Sequence, residues 1–253
     1  MTSQVDIYCL NFENLQKKEA MIKIFKERNL TDVFFGKGVS SEDPRIFNYS
    51  KLINNINTKQ IWSCCYGHLD AIHHFLINSP KEFGIFCEDD ILITKKFVDY
   101  LPKIITLFIE NKLDTLLLGY LCDVDFTGYS NFPEINTSHT SNIYSQADFP
   151  YRLFEYPDNV WGSQMFMISK KQACMLINKY YYTYAPRTLL DKTLTPFSAD
   201  WTLTKEGKRA LIYPLMVIEN ENLDKKYDNT DGGIMQKEAH RRCFHFSYSD
   251  EFS

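Results

Sequence analysis

An apolar run that ends in three consecutive carboxylates, Phe83 to Asp90, constrains the fold of this chain more than any other feature. Residues 85–87 are apolar without alternation, which is typical of a strand buried on both faces of a sheet. Such a strand has no room for three charges, so the acids must follow its end. Adjacent carboxylates raise one another's pKa, and a divalent cation with oxygen ligands would relieve that repulsion. The alternative is a solvated acidic turn before the apolar residues 91–93.

The neighbouring segments predict an α/β fold. Residues 5–10 are predicted as the first strand, residues 15–29 show helical spacing of apolar side chains, and residues 32–35 are predicted as a second strand. A β-α-β start implies a parallel sheet with a right-handed crossover. The later predictions are strands at 114–121, 160–168 and 211–218, and helices at 60–75, 94–110 with a break near Pro102, and 170–179 with Ser169 as N-cap. Gly232 and Gly233 predict a turn, and 240–246 a basic tail.

Composition excludes several classes of partner. The chain of 253 residues has 28 basic and 32 acidic residues, so no basic surplus points to nucleic acid. No apolar run reaches the roughly 18 residues that a membrane span requires, and the N-terminus lacks the pattern of a signal peptide. The seven cysteines are odd in number and lie mostly in apolar segments, which indicates buried free thiols. We therefore expect a cytoplasmic protein.

Two further groups of residues are candidates for metal ligands. The histidines His68, His73 and His74 are not spaced i, i+4 among themselves, so His68 is interpreted as a hydrogen-bonded core residue. Asp123 and Asp125 form a literal Asp-x-Asp after the strand predicted at 114–121. This pair is a rival to the acidic triplet as the metal site.

The order of several motifs resembles that of the family 25 glycosyltransferases, which include lipopolysaccharide glycosyltransferases and collagen β-galactosyltransferases. The similar segments are Ile7–Asn11, Cys64–Leu69, Ile85–Asp90, Trp161–Ser169, Ala199–Leu203 and Tyr213–Val217. The strand that ends in Glu-Asp-Asp is the most specific of them. The likeness extends over roughly residues 5 to 218. Two departures stand out: the Arg-x-x-Arg of the family is absent, with Lys17 and Lys18 nearby, and residues 123–159 have no counterpart.

The resemblance implies a GT-A-like fold, a three-layer αβα sandwich around a mostly parallel mixed sheet. It implies one domain, with a nucleotide-sugar-binding half at about 1–122 and an acceptor half at about 123–253. The implied activity is the metal-dependent, inverting transfer of a hexose from a UDP-sugar to a hydroxyl of a glycan or protein, with Mn²⁺ as cofactor. The alternatives are a catalytically inactive nucleotide-sugar-binding protein of the same fold and a metal-dependent hydrolase.

The resemblance also implies roles for individual residues. Asp90 is the predicted metal ligand, helped by Glu88, which contacts the metal or the ribose, and by a late histidine, either His245 or His240. The predicted donor-binding residues are Asn11, Phe12, Glu88, Asp89, Gln164, Arg241 and Arg242. Asn11 and Phe12 would meet the base at the end of the first strand, and the two arginines would clamp the diphosphate unless they belong to a solvated tail. Asp200 is the predicted general base, the alternative being a helix N-cap.

Overall fold

The computed structural model describes residues 4–53, 56–122, 134–135, 149–158, 160–220 and 231–252, with the backbone alone at 56–57, 122, 231–232 and 245–247. The strands are β1 (Val5–Asn11), β2 (Val33–Lys37), β3 (Phe83–Cys87), β4 (Ile91–Ile93), β5 (Thr115–Cys122), β6 (Arg152–Glu155), β7 (Val160–Ser169), β8 (Arg209–Tyr213) and β9 (Val217–Glu219). The helices are α1 (Leu15–Glu27), α2 (Pro44–Phe47), α3 (Ile56–Asn78), α4 (Phe97–Glu110), α5 (Lys170–Tyr180), α6 (Tyr184–Leu190) and α7 (Asp231–Ser247). A π-helical turn spans Ala199–Leu203.

The main sheet has seven strands in the order β2-β1-β3-β7-β5-β8-β6. β1 pairs in parallel with both β2 and β3, and β5 pairs in parallel with β8. β7 runs antiparallel between β3 and β5, and β6 is antiparallel to β8. Five of the seven strands therefore run in one direction and β7 and β6 in the other, so the sheet is mixed and its strands are mostly parallel. β4 and β9 form a separate antiparallel pair.

Helices cover both faces of this sheet. On one face α3 and α5 pack on side chains such as Phe86 of β3 and Phe166 of β7. On the other face α1 and α4 pack on the alternate positions, such as Ile85 and Met165. This alternation follows from the period of two along a strand. The three layers confirm the predicted fold class, an α/β sandwich around a mostly parallel mixed sheet.

Local signals account for several element boundaries. The side chain of Ser169 accepts a hydrogen bond from the backbone N–H of Gln172, which confirms the predicted N-cap of α5. Asn14 caps α1 in the same way through Lys17 N–H. α4 begins at Phe97 and continues through Pro102 to Glu110, so the break predicted near this proline is wrong. Its apolar face is buried against the sheet, and this packing holds the helix together across the missing N–H of the proline.

Three expectations from the sequence are corrected by the structure. The strand predicted over 211–218 divides at Tyr213–Pro214 into β8 and β9, which belong to different sheets. The turn predicted at Gly232–Gly233 and the basic tail at 240–246 both lie within α7. Asp200 lies inside the π-helical turn and Ser198 precedes it as the cap residue, so Asp200 is not an N-cap.

The cysteines of the described residues are free thiols, as predicted. Cys9, Cys65, Cys87 and Cys243 are buried, Cys64 is half-buried and Cys174 is exposed. Among the described helices, none is both long and apolar enough to cross a membrane.

Candidate active site

The predicted site residues of the first half lie where β1, β2 and β3 end. These three strands are parallel and adjacent, so their carboxyl ends meet at one edge of the sheet. Ligands of open α/β sheets bind at this edge. The first half of β7 joins them, because β7 runs antiparallel to β3 and Met165 lies opposite Cys87. The residues just before Met165 are thereby placed beside Glu88.

Two carboxylates from the two halves of the chain meet at this edge through one hydroxyl. Ser163 Oγ lies 2.7 Å from Oε1 of Glu88, to which it donates, and 3.4 Å from Oδ1 of Asp200. The backbone N–H of Glu88 donates to the carbonyl of Gln164. The structure thus brings together Glu88 and Asp200, which the sequence predicted as separate donor-side and acceptor-side residues.

A cavity of about 570 Å³ opens over these carboxylates. Its lining includes Glu88, Trp161, Ser163, Gln164, Asp200 and Trp201. Two indoles beside carboxylates can stack on the faces of a sugar ring while the acids bind hydroxyl groups, and this volume lies in the range of small-molecule sites. Lys205 Nζ lies 4.0 Å from the ring centre of Trp201, and burial lowers the pKa of Lys205 to about 8.

Gly162 lies between Trp161 and Ser163, which both line this cavity. Its φ is +135°, a backbone conformation that L side chains rarely adopt. A Cβ atom at this position would lie 2.1 Å from Oε1 of Gln164 and 2.9 Å from the Cα atom of Tyr120. The missing side chain of Gly162 therefore leaves room for the side chain of Gln164 and lets β7 approach β5 closely at Tyr120.

Gln164 belongs to a buried polar group on the wall of the cavity. Its Nε2 donates to Oε1 of Glu219 at 3.1 Å, and Nε2 of His240 lies 2.7 Å from Oε2 of the same carboxylate. Gln164 and Glu219 line the cavity, whereas His240 reaches Glu219 from α7. Of the two late histidines predicted as metal ligands, His240 contacts Glu219, which lines the cavity, but is not itself among the lining residues. The side chain of His245 lies outside the described residues.

The other two acids of the triplet form a second, buried cluster. Asn11 Nδ2 donates to Oδ2 of Asp89 at 2.6 Å, and Lys17 Nζ lies 3.4 Å from Oδ1 of Asp89. The same ammonium is 2.9 Å from Oδ2 of Asp90. Burial raises the pKa of Asp89 above its usual range, while Lys17 and the hydrogen bond from Asn11 act to lower it. Lys17 thus supplies the positive charge that three adjacent carboxylates require.

A second cavity, of about 490 Å³, lies at the ends of β1 and β2. Phe12, Lys37, Gly38 and Arg45 are among its lining residues. Phe12 is 43% exposed, so its ring is available to a ligand. Arg45 is held by Asp43 and by Asp70, the latter at 2.7 and 2.9 Å. This cavity combines an aromatic face with fixed charges.

Several predicted residues lie away from both cavities or outside the description. Arg241 and Arg242 are exposed on α7, and neither is among the described residues that line the cavities. Asp123 and Asp125 lie outside the described residues. The roles assigned to all of these residues remain predictions.

The sequence did not single out three residues that the structure places at the site. Ser163 and Glu219 connect the predicted acids and Gln164, and Lys17 neutralises the acidic triplet. Lys17 had a signal, because it lies near the position where the family carries an arginine. Ser163 had no such signal, since a single serine in a buried strand does not by itself indicate a functional residue.

Comparison with known proteins gives structural neighbours only. No protein-family model matches the sequence and no curated protein matches it. A glycosyltransferase involved in glycosylation of the major capsid of PBCV-1 aligns at 8% identity and a TM-score of 0.39, over 82% of this chain and 80% of that one. Mannose-1-phosphate geranyltransferase from Thermus thermophilus aligns at 9% identity and a TM-score of 0.41, over 83% and 73%. Likenesses at this level assign no activity, and membership of family 25 stays a prediction.

Proposed function

We propose that this protein is a glycosyltransferase that moves a hexose from a UDP-sugar to a hydroxyl group of a glycan or protein, with inversion at the anomeric carbon. The observation that carries the proposal is the meeting of Glu88 and Asp200 through Ser163, in a cavity flanked by Trp161 and Trp201. Carboxylates beside indoles that line a cavity are suited to a sugar, because the rings cover its apolar faces and the acids accept from its hydroxyls.

In this proposal Asp200 is the general base. Its carboxylate takes the proton of the acceptor hydroxyl while that oxygen attacks the anomeric carbon. The bond from the anomeric carbon to the diphosphate oxygen breaks in the same step, and UDP leaves. Ser163 holds Asp200 beside Glu88, which orients the base toward the donor side.

The nucleoside would occupy the second cavity. Phe12 follows the end of β1, and its exposed ring offers a stacking face to a pyrimidine base. Gly38 lies close against this ring, since a Cβ atom there would come within 2.4 Å of it. Both cavities lie at the same edge of the sheet, with β1 adjacent to β2 and β3. This order suits a ligand with a base at one end and a sugar at the other.

The acids fit the implied divalent cation unequally. Glu88 lines the main cavity, so its carboxylate is placed to contact a metal on the donor. Asp90 is 3% exposed and lies against Lys17, so it would join Glu88 only if the ammonium moved. When bound, Mn²⁺ would neutralise the charge that develops on the leaving diphosphate. We propose Glu88 as the primary contact, with Asp90 as the second.

A donor screen tests this function. The full chain is incubated with a panel of UDP-sugars, with and without Mn²⁺, and released UDP is measured by a coupled assay. At least one sugar should give release that an added glycan or peptide acceptor accelerates, with a product of the corresponding mass. Binding of UDP-sugars by calorimetry without any turnover would favour the inactive binding protein instead.

Replacement of Phe12 by alanine should weaken UDP binding. Loss of one base–aromatic stack is worth about 1–3 kcal/mol, which is about 5- to 150-fold in Kd. Calorimetric titration of UDP measures the change. Phe47→Ala is the matched control, because Phe47 is 55% exposed on α2 and is not among the lining residues of the second cavity. Equal effects of the two substitutions would place the base elsewhere.

A further inference from the structure

Three ligand atoms of different chemistry converge at the floor of the main cavity. The Sγ atom of Cys64, a ring nitrogen of His68 and a carboxylate oxygen of Glu88 all lie within 4.8 Å of one another. Cys64 and His68 are spaced i, i+4 on α3 and therefore share one face of the helix. Glu88 follows β3 and meets them across the cavity. Cys64 and Glu88 line that cavity, so the group is reached from it.

The burial of His68 is an independent observation that points to a ligand here. The side chain is 1% exposed, and its Nε2 atom has no hydrogen-bond partner among the residues that the structure describes. A buried ring nitrogen without a partner is unfavourable, because it has given up its hydrogen bonds to water. An imidazole nitrogen that carries no proton has a lone pair for a metal, and Nε2 of His68 is a ring nitrogen without a partner among the described residues.

The donor set selects the type of ion. Sulfur, imidazole nitrogen and one carboxylate oxygen are the ligands of Zn²⁺, whereas Mn²⁺ and Mg²⁺ prefer oxygen alone. Three protein ligands are the number found in zinc sites that keep a fourth position for water or substrate. Here the fourth position would face the cavity, because two of the three ligands line it.

We propose that Cys64, His68 and Glu88 form a zinc site at the floor of the main cavity, with one coordination position left for water or a ligand. The site goes beyond the proposed transfer reaction, since it concerns binding of the metal alone. It shares Glu88 with the manganese site proposed above, so the two metals would compete for that carboxylate.

Cobalt substitution tests the site without any donor sugar. Metal-free full-length protein is titrated with Co²⁺, and absorption spectra are recorded before competition with Zn²⁺. We expect one equivalent to give intense visible bands of a four-coordinate ion and a near-ultraviolet thiolate-to-cobalt band, and Zn²⁺ to remove both. Cys64→Ser should abolish the thiolate band and lower Zn²⁺ affinity by more than the roughly 10- to 100-fold that loss of an outer-shell partner costs.

Matched variants keep the test sharp. Cys174→Ser, which changes an exposed thiol on α5, should leave the spectrum unchanged, and Glu88→Gln should weaken binding while keeping the thiolate band. Circular dichroism of each variant checks that it is folded. Absence of a thiolate band in the wild type, or unchanged Zn²⁺ affinity in Cys64→Ser, would overturn the zinc site. Neither result depends on UDP release, so the zinc site and the transferase proposal can fail separately.

Discussion

Asp200→Asn is expected to lower kcat by about 10²–10⁴-fold, the contribution of a positioned general base, while UDP-sugar binding is unchanged. Asparagine has the shape of aspartate and still offers an oxygen to the hydroxyl of Ser163, which lies 3.4 Å from Oδ1. It cannot take a proton from the acceptor. The loss should therefore appear in kcat and leave the calorimetric Kd for the donor as in the wild type. Rates of acceptor-dependent UDP release, measured at saturating donor, give the comparison.

Asp191→Asn serves as the control for this variant. Asp191 is an exposed residue at the end of α6 and accepts hydrogen bonds from Thr193. It is not among the lining residues of the cavity, so its removal should change neither kcat nor donor binding. If Asp200→Asn kept most of the wild-type kcat, the base would have to be sought elsewhere in the cavity. A parallel loss of donor affinity would instead assign Asp200 to the donor.

The sequence predicted the two acids of this site but not their connection. Glu88 was evident because a buried strand ended there, and Asp200 was predicted from the resemblance of the segment Ala199–Leu203 to the family. Their shared contact with Ser163 depends on β7 running antiparallel between β3 and β5. Strand order of this kind is set by the packing of the whole sheet, and no local pattern reports it.

The same reason explains the residues that were missed. Lys17 and Asp90 are 73 positions apart, so their ion pair depends on the approach of α1 to the end of β3. His68 was interpreted as a core residue, and its 1% exposure agrees with this; the proposed zinc site gives it a further role, which a comparison of spacing among histidines alone did not suggest. Cys64 stands four residues before it, and including cysteine in the comparison would have shown the shared helix face. Glu88 could not have been added to that pair from the sequence.

Elements with strong patterns were predicted well, and elements with mixed signals were not. α4 has a continuous apolar face and was recognised despite Pro102. α7 begins with Asp231–Gly232–Gly233. Two consecutive glycines have low helix propensity and therefore predict a turn. Tertiary contacts override that preference, since Cys243 and Ala239 of this helix are buried in the core.

Lys17→Met is expected to have the largest effect on stability, lowering the free energy of unfolding by about 2–4 kcal/mol at pH 8. Removing one partner of a buried ion pair lowers the free energy of unfolding by about 3–5 kcal/mol. The 25% exposure of the Lys17 side chain reduces this figure. The side chains of Asp89 and Asp90 are only 8% and 5% exposed and would face each other without the ammonium. Urea unfolding followed by circular dichroism measures the loss.

The loss from Lys17→Met should depend on pH with a definite sign. The pKa of Asp89 is already raised by burial, and Lys17 acts to lower it. Without Lys17 it rises further, so the folded variant binds a proton at pH values where the unfolded chain does not. Stability then falls as pH rises through that window, and the variant should lie closer to the wild type at pH 5 than at pH 8. A loss of equal size at both pH values would mean that packing, not charge, is responsible.

Mn²⁺ should partly restore the Lys17→Met variant, because a cation held by Glu88 and Asp90 would lie close to the position of the missing ammonium and offset the same repulsion. Binding to the folded state alone adds about RT ln(1 + [Mn²⁺]/Kd) to the stability, so the unfolding midpoint should rise with Mn²⁺ more in the variant than in the wild type. Lys17→Met combined with Asp90→Asn removes one of the two charges, and its stability should exceed that of the single variant and respond less to Mn²⁺. Should Mn²⁺ act equally on the wild type and both variants, Asp90 would not be a metal ligand, and Glu88 would hold the donor metal without it.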